Sequence, residues 1–474
     1  MTLKVQQSAF IAEKRPLLLK LRDALCAEFD YASILAEDTV GRNFRASRHS
    51  VSVGEGDNMR GFVVKALDGG RYAEYSFGEL EEASIPGVVA AVRELLAADV
   101  RPESLAANTY APPQEEPTVF SDATEYEIDP AGLDDGEILD RLTALRDKGL
   151  AMDEAVLDFV AQMGWQKYTK LFLSRQKDMT QSVMYITGAV AAAAMKDQQV
   201  KQSYVPCSGL GGMELMAKME DNAAPCVKTV LELLDSEPMV PGEYECICSP
   251  ETTGMIVHEA FGHGVEMDMF VKDRAQAPQF IGKYVASPLV TMHDGACSAP
   301  QTATYFFDDE GTLAHDTVVI DKGVLKTGIS DLQSALTLGT EPTGNGRRES
   351  FARKAYTRMT NTWFEPGSDK LEDMIGSVKY GMFLECPSSG MEDPKNWGIQ
   401  CMVNIAREIK DGKLTGRIFS PVVLTGYVPD LLKSISAMSG DAELSGTGFC
   451  GKGHKEWVKV SDGGPYIKAR IRLG

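Results

Sequence analysis

The amino-acid sequence predicts an α+β fold, with a mixed α/β N-terminal region followed by a β-rich C-terminal domain. Two observations predict this organisation. Residues 4–98 alternate between helix-like apolar spacing and short alternating apolar and polar segments. After Pro238 the chain consists mostly of strand-like segments joined by tight turns, and it carries one unusual helical segment at 254–268.

The N-terminal elements follow from the spacing of apolar residues. Residues 4–27 have the period of an amphipathic helix, and residues 79–98 predict a second helix. Between them, residues 31–77 alternate like strands, and the sequence LDGGR at 67–71 predicts a hairpin turn. Prolines among acidic residues over 101–135 predict a linker or a surface crossing.

The remaining elements are predicted in the same way. Helices are expected near 134–164, 223–235 and 428–438. The clearest strands are expected at 168–175, 181–190, 242–250, 284–295, 303–311, 317–329, 380–386, 399–414 and 466–474. We therefore divide the chain into an N-terminal α+β domain over 1–105, a linker and middle α+β region over 106–237, and a β-rich C-terminal domain over 238–474.

Composition excludes several classes of partner. The net charge is −20, from 68 acidic and 48 basic residues, and no basic stripe is present to bind a phosphate backbone. The longest run of small apolar residues, 188–195, is far shorter than the roughly 20 residues of a membrane span. The N-terminus has no secretory signal pattern, and the nine scattered cysteines fit reduced thiols. We expect a cytoplasmic protein with no nucleic-acid or membrane partner.

The segment GMIVHEAFGHGVEMD at 254–268 nearly spells the His-Glu-x-x-His helix of zinc peptidases. His258 and Glu259 are in place, but Gly262 stands where the second ligand is expected, and the histidine is His263. Imidazoles are good zinc ligands, and a carboxylate after the first one is suited to accept a proton from water. The alternative is a helical turn whose histidines bond to local carbonyls.

The late histidine raises a geometric problem. In a regular α-helix, residues five apart point about 140° away from each other, whereas residues four apart differ by about 40°. A one-residue π-bulge would bring His258 and His263 to the same side. Alternatively, the helix would unwind at Gly262 and Gly264, where the backbone has extra freedom.

Spacing alone leaves the third ligand open. Acidic residues soon after His263 are suited to orient a histidine ring. Two cysteines alternate with apolar residues in a strand, where burial is the default. The glycine-rich segment SGTGFCGKGH at 445–454 differs from that strand, because its glycines allow close backbone approach, and its cysteine is a candidate ligand. The histidine four residues after this cysteine is a weaker candidate. In chain order these candidates are Cys246, Cys248, Glu266, Asp268, Cys450 and His454.

Taken together, several segments resemble the TldD/PmbA family of cytoplasmic metallopeptidases, specifically its TldD-type subunit. The C-terminal half carries the resemblance, and the N-terminal half matches only loosely. The conjunction of the segments is far more specific than any one of them. In order they are VHEAFGHGVEMD (257–268), FDDEGT (307–312), VVIDKGVLKTGISD (318–331), PTGNGRRESF (342–351), RMTNTWFEPG (358–367), GTGFCGKG (446–453) and VSDGGPYIKARI (460–471).

The resemblance implies a zinc ion held by His258, His263 and Cys450, with Glu259 as the catalytic carboxylate. It further implies hydrolysis of peptide bonds in unfolded or short peptides. The family assembles as a homodimer, or as a heterodimer with a TldE/PmbA-like subunit that lacks the motif. Because this chain retains all four residues, it resembles the active subunit.

Two other functions stay open at this point. A non-catalytic peptide-binding or partner subunit is disfavoured by Glu259, because a structural zinc site needs no base. A zinc amidase acting on small molecules would use the same residues. Arg347, Arg348 and Glu349 are interpreted either as binding a peptide terminus or as organising the loop that carries them.

Overall fold

The computed structural model describes residues 2–98, 111–452 and 455–474, in which helices pack on two large β-sheets. Three sequence-predicted features lie outside these described residues: Pro102 of the predicted linker, the predicted boundary between residues 105 and 106, and His454. The α+β fold class is confirmed, with its strand-rich C-terminal part. The division into three regions stays our proposal.

Eight strands of the described residues form the first sheet, here called the N-terminal sheet. All its pairs are antiparallel except that of Thr118–Ala123 with Lys177–Lys196. Val51–Glu55 pairs with Tyr31–Ala46 beside the main path. The spatial order of the main path is Gln199–Leu210, Lys177–Lys196, Val156–Ser174, Tyr31–Ala46, Met59–Asp68, Arg71–Phe77.

The two faces of the N-terminal sheet have different partners because side chains alternate along a strand. Ile34 and Phe44 belong to the cores beneath the helices, whereas Leu35 of the same strand packs with Phe307 of the C-terminal region. The helices of this half are Ala9–Glu28, Ile85–Ala98, Asp135–Leu150, Met216–Asp221 and Ala223–Leu233. One face is thus left to meet the C-terminal region.

Eleven strands of the described residues form the second sheet, the C-terminal sheet. Gly242–Cys248 pairs in parallel with Tyr380–Asp393 and antiparallel with Ser461–Leu473. Five strands therefore close into a ring: Gly242–Cys248, Tyr380–Asp393, Gly398–Lys410, Val422–Tyr427 and Ser461–Leu473. The other strands are Met292–Asp294, Thr317–Asp321, Val324–Leu325, Asn361–Phe364, Lys413–Phe419 and Ala437–Ser445.

Three short two-stranded sheets complete the strands of the described residues: Leu3–Lys4 with Glu125–Tyr126, Gly346–Arg347 with Tyr356–Thr357, and Phe449–Lys452 with Lys455–Lys459. The α-helices of the C-terminal half are Pro250–Val257, Met267–Val271, Leu332–Leu338, Leu371–Gly376 and Val428–Lys433. None of the helices in the described part of the chain is long and apolar enough to cross a membrane.

Most sequence-predicted elements are present, and the differences have local causes. The strand predicted at 284–295 is limited to Met292–Asp294, since a proline at position 288 does not suit a paired strand. The strand predicted at 303–311 is absent, because the Asp308 carboxylate accepts backbone hydrogen bonds from Glu310 and Thr312 and forms a tight turn. The helix predicted over 134–164 ends at Leu150 and is followed by a strand.

Candidate metal centre

The HEAFGH segment continues a helix that begins with a standard cap. Ser249 accepts a hydrogen bond from the backbone of Thr252, and Pro250 occupies the first turn. The regular helix ends at Val257, His258–Gly262 forms a π-helical turn, and a 3₁₀ turn follows. The backbone N–H of His263 donates to the carbonyl of His258, five residues earlier. Of the two geometries considered, this is the π-bulge.

The glycines of this segment are explained by close packing. Gly262 has φ −63°, which any residue can adopt, so its backbone needs no special freedom. A Cβ at Gly262 would lie 2.0 Å from Sδ of Met359. Likewise, a Cβ at Gly254 would lie 2.6 Å from the backbone nitrogen of Gly463, in the last strand. Small residues therefore let the helix sit directly on the C-terminal sheet.

The π-helical turn brings both histidines to one sulfur atom. Sγ of Cys450 lies 3.2 Å from Nε2 of His258 and 3.2 Å from Nε2 of His263. The two imidazole rings are perpendicular, with centroids 5.2 Å apart. His258 and Cys450 are buried, while the side chain of His263 is 20% exposed. The site is therefore reachable from one side.

Cys450 reaches the histidines from a separate hairpin. It lies in Phe449–Lys452, which pairs with Lys455–Lys459, and it stands opposite Val458. The guanidinium of Arg358 donates to the carbonyl oxygen of Cys450 at 2.8 Å. This contact fixes the strand position from which the thiol projects.

A buried carboxylate orients the second histidine. Oε2 of Glu266 lies 3.3 Å from Nδ1 of His263 and 3.1 Å from Nζ of Lys452, and Oε1 lies 3.3 Å from Nε of Arg358. Burial alone would raise the pKa of Glu266, but Lys452 and His263 hold it well below its usual range. Glu266 thus remains ionised and turns Nε2 of His263 toward Cys450.

The three side chains also perturb one another. Burial alone would lower the pKa of His258, but the adjacent Cys450 outweighs it and raises that pKa to about 9. Burial alone would raise the pKa of the Cys450 thiol, but His263 and His258 hold it well below its ordinary value. The cluster therefore favours a thiolate, the form in which cysteine binds metals.

Glu259 lies next to this cluster without being part of it. Its side chain is half-buried and lies over Gly390, where a Cβ would come 2.3 Å from Cγ of Glu259. Within the described residues, no group donates a hydrogen bond to its carboxylate. Glu259 is therefore available to exchange a proton with a bound molecule.

The other sequence candidates lie elsewhere. Asp268 accepts hydrogen bonds from Lys452 and Lys272, and Cys246 and Cys248 are buried in the core of the C-terminal sheet. Sequence reasoning missed Arg358 and Lys452 as partners of Glu266. Both lie in segments that carry the family resemblance, RMTNTWFEPG and GTGFCGKG, but spacing alone does not show what they contact.

The donor set fits a zinc ion. The ligand atoms of His258, His263 and Cys450 all lie within 4.8 Å of one another, so one ion can reach all three at ordinary Zn–N and Zn–S lengths of about 2.0–2.3 Å. Two imidazoles and a thiolate are typical zinc ligands. Three protein ligands leave a fourth position for water or a substrate.

Comparison with known proteins places this site in a family. Residues 241–471, which include all four sequence-predicted site residues, match the family model of the PmbA/TldA metallopeptidase C-terminal domain. Residues 241–471 therefore carry the C-terminal domain of the TldD/PmbA family. Solved structures with a similar fold include TldE from Thermococcus kodakarensis, with a TM-score of 0.75 at 16% identity, covering 97% of this chain and 100% of that chain. The likeness shows that the fold is shared along nearly the whole chain.

Curated TldD/PmbA relatives carry the name metalloprotease. One from Methanothermobacter thermautotrophicus is 30% identical over 281 residues, covering 59% of this chain and 61% of the relative. A zinc metalloprotease TldD homolog from Saccharolobus solfataricus is 29% identical over 249 residues, covering 52% of this chain and 55% of the relative. The chain thus spans less than two thirds of the length of these relatives.

Proposed function

We propose that this protein is a zinc-dependent peptidase of the TldD/PmbA family that hydrolyses peptide bonds in unfolded or short peptides. The convergence of His258, His263 and Cys450 beside the unpaired carboxylate of Glu259 carries the proposal. The names of the curated relatives support it. A purely structural zinc site would have no need of the adjacent base.

Zinc at this site would supply Lewis-acid chemistry, polarising a peptide carbonyl and making a water molecule more acidic. The protein supplies the proton transfer. Glu259 accepts a proton from the attacking water at its carboxylate and donates it to the leaving amine. Glu266 keeps His263 in the orientation that directs Nε2 toward the site.

Binding, assembly and location follow as further parts of this proposal. Peptides would be held as extended strands, because main-chain hydrogen bonds suit substrates of varied sequence. The net charge of −20 favours basic or neutral peptides at long range. We propose a homodimer, or a heterodimer with a TldE/PmbA-like subunit. All nine cysteines are free, which supports a reducing cytoplasmic compartment.

The deciding experiment combines zinc analysis with peptide hydrolysis on one set of proteins. Wild type should contain about one zinc per chain, and Cys450→Ala and His263→Ala should each contain little. Glu259→Gln should keep its zinc and lose at least about 100-fold in hydrolysis, the typical contribution of a general base. Glu243→Gln is the control, because this carboxylate is exposed on a strand of the same domain.

Each alternative predicts a different result. A non-catalytic subunit would bind zinc yet hydrolyse nothing, alone or with its partner subunit added. A zinc amidase would cleave small amides and leave unstructured peptides intact. If zinc persists without Cys450, the ligand set is wrong. If Glu259→Gln hydrolyses peptides as fast as wild type, the role of Glu259 is wrong.

A further inference from the structure

A large cleft lies where the free face of the N-terminal sheet meets the C-terminal region. Its volume is about 630 Å³. Tyr168 and Tyr185 line it from the sheet, and Arg347, Trp457 and Lys459 line it from the C-terminal side. We call it the inter-sheet cleft.

Most charges in the inter-sheet cleft are already paired. Nζ of Lys170 lies 2.5 Å from Oδ1 of Asp309 and 3.5 Å from Oε1 of Glu37. The Glu349 carboxylate accepts a backbone hydrogen bond from Glu456 at 3.0 Å. The Lys170–Asp309 pair joins the two halves, and all these groups present little free charge to a ligand.

Lys459 is the exception. Its side chain is buried, with 6% of the residue exposed, and within the described residues Nζ has neither a hydrogen-bond acceptor nor an ion-pair partner. Instead, Nζ lies 4.5 Å from the centroid of the Phe449 ring and 5.9 Å from that of Tyr185. Burying an ammonium group without a hydrogen-bond acceptor costs free energy, unless a ligand supplies the acceptor.

Arg347 is the second cation without a carboxylate partner. It donates to the carbonyl of Met359 at 2.6 Å and lies over the Tyr305 ring, but none of the described acidic residues forms an ion pair with it. Burial and the nearby charge of Arg347 lower the pKa of Lys459 to about 7. Two cations thus face the same cleft and repel each other.

We propose that Lys459 and Arg347 form a carboxylate-binding site in the inter-sheet cleft, and that its ligand is a carboxylate group of a peptide. A carboxylate there would accept charge-assisted hydrogen bonds and relieve the repulsion between the two cations. The choice of a peptide as ligand rests on the proposed function. The cation pair itself is independent of any reaction at the metal centre.

The hairpin relates this site to the metal centre. Lys459 stands opposite Phe449, the residue before Cys450. Because side chains alternate along a strand, Lys459 and Cys450 point to opposite faces of the hairpin. The site therefore anchors a carboxylate away from the bond being cleaved, and it selects peptides by their acidic end or side chain. Its short-range attraction acts inside a cleft, whereas the net charge of the chain acts at longer range.

The test measures peptide binding to the full chain carrying Glu259→Gln, so that the peptides are not hydrolysed while binding is measured. Acetyl-Ala-Ala-Ala with a free C-terminal carboxylate is compared with its C-terminal amide by calorimetry and by tryptophan fluorescence, since Trp457 lines the cleft. We expect the free acid to bind about tenfold more tightly than the amide, as expected for one charge-assisted interaction. Lys459→Met should abolish this preference. Lys433→Met, an exposed lysine at a helix end, should retain it.

Further peptides and variants identify which carboxylate is bound and where on the protein it binds. If the amide acetyl-Ala-Glu-Ala-NH2 matches the free acid, side-chain carboxylates are bound; if it binds weakly, the site takes C-termini. Trp457→Phe should remove the fluorescence change while calorimetry still reports binding. Equal binding of acid and amide, or a preference that survives in both Lys459→Met and Arg347→Gln, would overturn the proposal. Since no hydrolysis is measured, an inactive metal centre would not mask either outcome.

Discussion

Glu266 and His263 form a pair in which the carboxylate sets the direction of the ring. Oε2 of Glu266 lies 3.3 Å from Nδ1 of His263, and the opposite ring nitrogen faces Sγ of Cys450 at 3.2 Å. The same carboxylate contacts the fully buried Arg358. One acidic side chain thus connects the candidate metal centre to the charged interior around it.

Replacing Glu266 by glutamine should weaken zinc binding about 10–100-fold, the usual effect of removing a carboxylate that orients a histidine ligand. The measurement is competition with a chelator on the purified protein. Glu243→Gln serves as the control, because its carboxylate is exposed and faces Arg470 at the surface. Circular dichroism must first show that the variant is folded, since the buried Arg358 loses its carboxylate partner. An unchanged zinc affinity in a folded variant would contradict the orienting role.

The π-helical turn makes a prediction about stability. Gly262→Ala should lower the free energy of unfolding by about 1–3 kcal/mol, because the added Cβ would overlap Sδ of Met359. Gly87→Ala is the matched control: it also lies in a helix, but nothing is within 4 Å of its Cβ position. The free energy of unfolding of Gly87→Ala should rise by up to about 1 kcal/mol. Urea unfolding measures the free energy of unfolding of both variants. Equal changes in the two would mean that close packing does not explain the glycine at position 262.

Gly390 provides the space in which the Glu259 side chain lies. Gly390→Ala places a Cβ 2.3 Å from Cγ of Glu259 and should displace its carboxylate, lowering peptide hydrolysis about tenfold or more. Zinc content should stay at the wild-type level, because the three ligands are untouched. Gly398→Ala, in the paired strand with open space around it, is expected to keep full activity. Loss of zinc in Gly390→Ala would instead point to a wider distortion.

The Glu74–Arg348 pair makes a prediction about pH. Burial alone would raise the pKa of Glu74, but Arg348 lowers it to about 2, below the ordinary value of 4.5. A carboxylate with a lowered folded-state pKa stabilises the protein above pH 4.5 and loses that effect as the pH falls toward 2. The contribution is on the order of 3 kcal/mol at neutral pH.

Chemical denaturation of wild type and Glu74→Gln at pH 7 and pH 3 tests this. Wild type should be clearly more stable than the variant at pH 7, and the difference should shrink at pH 3. Glu13→Gln, with an exposed carboxylate, should match wild type at both values. A difference between wild type and Glu74→Gln that is the same at both pH values would refute the assignment.

The sequence predicted the parts of the candidate site whose residues lie close together in the chain. The order of His258, Glu259 and His263 predicted a metal motif, and the glycines around Cys450 marked its loop as different from a buried strand. The sequence did not decide between a π-bulge and an unwound helix. Met359 approaches Gly262 from a segment far along the chain, and spacing in the sequence does not show that contact.

Contacts between residues that lie far apart in the chain could not be predicted from the sequence either. Arg358 meets Glu266 across 92 residues, and Lys459 reads as an ordinary position in an alternating strand. The strand predicted over 303–311 failed for a similar reason. Its acidic residues bond to local backbone and to Lys65 and Lys170 of the N-terminal sheet, a use that alternation alone does not reveal.

The closed ring of the C-terminal sheet limits where an extended peptide can dock. Gly242–Cys248 is paired on both sides, so it offers no unpaired backbone to a ligand. In the described part of the chain, Gln199–Leu210 ends the N-terminal sheet and is paired along one side. Its residue Ser208 accepts a hydrogen bond from Gly446, four residues before Cys450. A peptide that lengthens this sheet by one strand would therefore run alongside the loop that delivers the thiol.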